Sequence, residues 1–163
     1  MAQSRNPVFY RDLGVADTVD GRFESVVLHL VIVLRRLRAG DQAAREAGQA
    51  VFDRFCLDMD RSMREAGVGD LSVGKRMRKV GEVFYGRSEA YDRALDAGDS
   101  AALAGSLERA VPAAEGAELA TNTLAAYMIA TDRAMSDASD SVLFGGELPF
   151  IRPERFVSAE TEK

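Results

Sequence analysis

Three carboxylates within eight residues, Asp53, Asp58 and Asp60, come nearest in type and spacing to side chains that do chemistry. Converging carboxylates hold divalent metals and, through them, diphosphate groups. On a helix, however, Asp53 and Asp60 share one flank while Asp58 falls on the other side of the apolar stripe. Cations also lie within helical reach, Arg54 and Arg61 for Asp58 and Arg64 for Asp60. Solvated ion pairs are the expected role, and no metal site is expected. A single His excludes the two Glu-x-x-His motifs of a di-iron carboxylate bundle. That residue, His29, sits inside an apolar run with no Ser, Cys or second His patterned beside it. It reads as a satisfied core or interface imidazole rather than a base. Cys56, between Phe55 and Met59, reads as an inert packing thiol.

The elements that would position these residues are helices. A chain of 163 residues is one domain by length, and 47% hydrophobic with 29% charged residues is ordinary for a globular protein. Only 4 Pro and no alternating apolar runs point to an all-α, single-domain bundle of about five helices with an extended C-terminal tail. Residues 1–17 are expected as an N-terminal connector, 18–140 as the helical domain and 141–163 as the tail. The first long helix spans Asp20 to Arg38, with an N-cap in the Asp17–Asp20 region. Gly40 ends it, and Asp41 caps a helix running to Ala66, with Gly67 suited to the position beyond its end. After a turn at Val68–Leu71, Ser72 is expected to cap a helix whose stripe is Val73, Met77, Val80, Phe84, Tyr91 and Leu95. Gly98 and Asp99 open a short helix to Ala110, and a last one covers Glu118 to Ala138.

The longest apolar run, Val26 to Leu34, has nine residues where a membrane span needs about 20. No N-terminal segment has the apolar core of a signal peptide. One Cys excludes an internal disulfide and fits a reducing compartment, so a cytoplasmic protein is expected. Residues 1–98 hold 16 Lys and Arg against 15 Asp and Glu, whereas 99–163 hold 5 against 11. An overall charge of −5 argues against a dedicated DNA-binding protein.

Two surfaces stand out for binding. Lys75, Arg76, Arg78 and Lys79 cluster near the start of the third long helix and suit either a solvated face or an anionic partner such as lipid head groups. Farther along comes the tetrapeptide FYGR, residues 84–87. A glycine costs about 1 kcal/mol in a helix interior. Gly81 and Gly86 therefore either admit a neighbouring helix or form a notch that exposes Tyr85 and Arg87, types favoured at interfaces. Leu57 falls on the polar face of its own helix and supports the second reading. Leu57, Tyr85, Arg87 and Tyr91 are the expected protein-binding residues.

The wording of the chain also carries a resemblance. The stretch FDRFCLDMDRSMREAGVGDLSVGKRMRKVGEVFYGRSEAYDRAL, with NPVFYRDLGVADTVDGRF and LHLVIVLRRLR before it, resembles the bacterial branch of the ubiquinol–cytochrome c chaperone family. The likeness runs roughly from Asn6 to Asp140. It implies a non-enzymatic assembly factor with no cofactor, binding newly made cytochrome b or another subunit of the cytochrome bc complex. It further implies work at the cytoplasmic face of the inner membrane, peripherally attached. A small helper protein, used by mitochondrial relatives, is a further candidate partner. In that family AQSRNPVFY corresponds to the end of an additional helix, so an upstream start and an uncovered apolar groove are expected. The alternative is an α-helical enzyme or carrier acting on an isoprenoid or haem-like ligand. That would require polar groups converging in a deep pocket, which the sequence does not pattern.

Overall fold

Hydrogen-bonding side chains and glycines set the helix boundaries, and the computed structural model describes the result for residues 2–157. Seven α-helices occur among them: α1 (Pro7–Arg11), α2 (Val19–Arg38), α3 (Gln42–Glu65), α4 (Asp70–Ala97), α5 (Ser100–Ala110), α6 (Thr121–Asp137) and α7 (Asp140–Phe144). Short 3-10 turns cover Gln3–Arg5 and Pro153–Phe156. Thr18 caps α2, Asp41 caps α3 and Asp99 caps α5, each side chain accepting a first-turn N–H. Gly67 stands just past α3 at φ 80°, with Val68 N–H reaching Met63 C=O and Gly67 N–H reaching Arg64 C=O. This pair of bonds satisfies the last carbonyls and needs the left-handed conformation that glycine adopts freely. Ser72, expected as the cap of α4, lies inside its first turn: Gly69 takes the capping position and the helix starts at Asp70.

Five long helices, α2 to α6, make the bundle. Helix α2 lies at its centre, packed against α3, α4 and α6, and it buries Val27, Leu28, Val31, Ile32, Val33 and Leu37. A helix apolar on several sides needs neighbours on several sides, and it has them. No described helix is long and apolar enough to cross a membrane.

Both ends differ from expectation. Residues read as a connector supply Val8, Phe9, Leu13, Val15 and Ala16 to the core. The backbone of 13–16 is tied to the α5–α6 loop: Ala16 N–H to Pro112 C=O, Ala114 N–H to Gly14 C=O, Ala120 N–H to Leu13 C=O. Gly14 makes this possible, since at φ 73° any Cβ would stand 2.4 Å from the Glu118 carbonyl oxygen. The tail is not simply extended. It forms α7 and the second 3-10 turn, and Phe150, Ile151, Phe156 and Val157 pack on the core. Its apolar residues are too irregularly spaced for a periodic pattern, which is why they escape sequence reading. Residues 158–163 of that tail lie outside the described residues.

Beyond Phe55 the chain forms an arm. Phe23, near the start of α2, meets Phe55 with ring centroids 6.5 Å apart. Four residues of α2 precede Phe23, so about the last six residues of α3, roughly 9 Å of helix, run past the beginning of α2. They pair only with the first part of α4, and between Cys56 and Val83 Val73 alone is buried.

Candidate protein-binding surface

The eight residues singled out for binding fall in four different settings. Tyr91 is fully buried, and its phenol finds no hydrogen-bond partner among the described residues. Burial raises its pKa, with the nearby Glu24 carboxylate adding to the shift. Expected at a binding rim, it is instead a core residue, because its place on the α4 stripe carries it inward. Arg87 is half-buried, and its guanidinium donates to both oxygens of Glu24, Nε to Oε2 at 3.2 Å and Nη2 to Oε1 at 3.1 Å. Those hydrogen bonds raise its pKa. Its fork is occupied inside the fold.

Leu57 and Tyr85 are both open to solvent, 66% and 63% exposed. They do not form one patch through α3. Tyr85 leans on Phe52, centroid to centroid 5.9 Å, at the end of an aromatic row that includes Phe55 and Phe84. Leu57, five residues beyond Phe52, lies about 140° farther round the same helix.

Leu57 borders a different feature. A shallow groove of about 310 Å³ runs between α2 and α3, lined by Val26, Leu30, Ala50, Val51, Arg54 and Phe55. Leu57 follows Arg54 by three residues and Ala50 by seven, so it prolongs the α3 wall of this groove. Val26 and Leu30 belong to the longest apolar run of the sequence, whereas Val51 stands outside it. Val26 and Leu30 are one helical turn apart, but only packing shows that both stay half-buried on the wall of a groove.

Lys75, Arg76, Arg78 and Lys79 are all exposed. Lys79 Nζ stands 3.7 Å from Glu82, and the other three make no ion pair among the described residues. With α4 beginning at Asp70, these cations occupy its second and third turns. The macrodipole acts mainly on the first turn, so it gives no reason for or against them.

The remaining polar candidates are satisfied locally. Asp58 pairs with Arg54 at 3.0 Å and Asp60 with Arg64 at 2.6 Å, while Arg61 turns to Glu65 rather than to Asp58. Asp53 accepts from Gln49. Burial raises the pKa of the half-buried Cys56 thiol, assisted by Asp53. His29 is buried with both ring nitrogens engaged, Nδ1 with Ser25 C=O at 2.6 Å and Nε2 with Tyr127 Oη at 2.8 Å. Burial pushes its pKa down to about 4. A neutral imidazole of this kind is a core member, edge-on to Phe9 at 5.1 Å. No group of three or more His, Cys, Asp or Glu able to hold a metal occurs among the described residues.

Comparison with known proteins accounts for this shape. The sequence profile of the ubiquinol-cytochrome C chaperone family matches residues 11–150. The chain belongs to that family. A solved relative, the Cbp3 homolog from Brucella abortus, has the same fold with a TM-score of 0.84 and 35% identity. The match covers 94% of this chain and 85% of that one. A search among curated proteins returned no match. Membership of the ubiquinol-cytochrome C chaperone family fits an all-α protein whose open features are grooves and charged helix faces.

Proposed function

We propose that this protein is a non-enzymatic assembly factor for the ubiquinol–cytochrome c reductase complex, holding newly made cytochrome b until its partners arrive. The observation that carries this reading is the family match over residues 11–150, supported by the likeness to the Brucella abortus Cbp3 homolog. The work would be done at the cytoplasmic face of the inner membrane.

The α2–α3 groove is the surface best suited to a client. Its walls are almost wholly apolar, and Leu57 lengthens it along α3. An amphipathic or partly inserted helix lays an apolar edge into such a trough, with Arg54 at the border to meet a polar residue. A groove this shallow buries little of its guest, so binding is weak enough to reverse when the final partners compete.

A strain lacking the gene tests the reading. Assembled cytochrome bc complex should be lost while other respiratory complexes persist, and pull-down from solubilised membranes should recover cytochrome b. Normal bc activity in the deletion strain overturns the proposal.

A further inference from the structure

The outer face of α4 has a composition that neither the core nor the client groove uses. Leu71, Arg78 and Tyr85 recur every seven residues and form one line along the helix. Lys75 and Lys79 stand beside that line, all five within a sector of about 120°. Opposite them lie Val73, Met77 and Val80, which face α3. Leu71 is fully exposed, an apolar side chain with no cover at all, and Tyr85 is largely exposed. From Leu71 to Gly81 the sequence carries four cations and no carboxylate. Glu82 is the one acidic residue between Leu71 and Tyr85, and Lys79 approaches it.

We infer that this face of α4 docks the protein on an anionic lipid bilayer. Charge complementarity selects the surface: Lys75 and Arg78 make no ion pair within the described fold and are free to meet phosphate head groups, while Arg76, on the flank toward Val80, adds its charge from the side. Their aliphatic stems cover apolar surface while the charged ends stay in water. Leu71 and Tyr85 supply what phosphate alone does not use. A bare leucine inserts at the acyl boundary, and tyrosine prefers the level where apolar and wet regions meet. The two lie about 21 Å apart along one side of the same helix, so one surface can meet both. The overhang of α3 and α4 past α2 holds the first turns of this face clear of the other long helices. A net charge of −5 is no obstacle, since screening over about 8 Å at physiological salt leaves each patch to act locally. The inference stands on this face alone and holds whichever client the groove accepts.

Flotation of the full chain with vesicles tests it, using phosphatidylcholine alone and phosphatidylcholine mixed with phosphatidylglycerol. The wild type should float with the mixed vesicles, fail with the neutral ones and be released as salt rises. Replacing Lys75, Arg76, Arg78 and Lys79 together by Gln should weaken binding by about fivefold per cation at low salt. The pair Leu71→Ser and Tyr85→Ser should weaken it at least about tenfold while leaving the salt dependence in place. Thermal unfolding followed by circular dichroism should show all variants folded, and client recovery in detergent should be unchanged by the four Gln substitutions. Failure of the wild type to float overturns the proposal, as does full binding by the four-Gln variant. Tight binding of a homopolymer RNA with no effect of the two Ser substitutions also overturns it, in favour of a nucleic-acid partner.

Discussion

Arg87 on α4 donates two hydrogen bonds to Glu24 on α2, and Glu24 has only 8% of its side chain exposed. This pair joins two helices across 63 residues of sequence, close to the buried ring of Tyr91. Removing the cation strands a carboxylate in the core, which costs about 3–5 kcal/mol for a wholly buried pair and less where one partner keeps some solvent. Arg87→Ala should therefore lose about 2–4 kcal/mol in chemical denaturation. Replacing both partners by Leu should recover much of it. Unchanged stability of Arg87→Ala would return Arg87 to the surface as a binding residue.

His29 gives a pH dependence of definite sign. Its pKa falls from an ordinary 6.5 to about 4 on burial, so between those values the unfolded chain binds a proton that the folded chain refuses. Stability from this group is complete above pH 6.5 and declines as pH drops toward 4. The total loss is roughly 3 kcal/mol. Denaturation of the wild type and His29→Gln across this range checks it. The variant should show a flatter slope, and equal slopes would exclude His29 as the cause.

The client groove can be blocked without touching the core. Val51 is more than one third exposed on the groove wall. Val51→Arg should leave the unfolding midpoint within about 0.5 kcal/mol of wild type yet sharply reduce cytochrome b recovered from solubilised membranes. Leu57→Ser should act in the same direction, more weakly. Undiminished recovery by both would move the client elsewhere.

Three glycines in α4 have no visible task inside the fold. A Cβ at Gly74, Gly81 or Gly86 would meet nothing within 4 Å. The neighbouring-helix explanation for Gly81 and Gly86 therefore finds no helix at that distance. Each Gly→Ala change should stabilise the protein by about 0.5–1 kcal/mol, read as a higher midpoint in denaturant. Destabilisation would mean that the bare backbone serves the arm itself.

The arm should also open first. With Val73 its sole buried residue between Cys56 and Val83, amides in this stretch should exchange well before those of α2 and α6. Hydrogen exchange resolved by peptide measures this directly, and protection equal to that of α2 would count against a separate arm.

Local chemistry made much of this protein readable. Asp41, Asp99, Gly67 and Gly98 mark helix ends through bonds to backbone groups a few residues away, so their roles are written in short stretches. Apolar periodicity found the five long helices, and the wording from Asn6 to Asp140 pointed to the family that the profile match then established. Periodicity tells which residues share a face, but not which neighbour covers it. Tyr91 and Tyr85 lie six residues apart on α4, one sealed by the bundle and one bare. Arg87 meets Glu24, His29 meets Tyr127, and Gln3 meets Ile151 across 63, 98 and 148 residues. The tertiary structure decided those pairings, and with them which side chains remain for a partner. The reason is physical: a helix fixes directions around its own axis, whereas burial depends on the helices packed beside it.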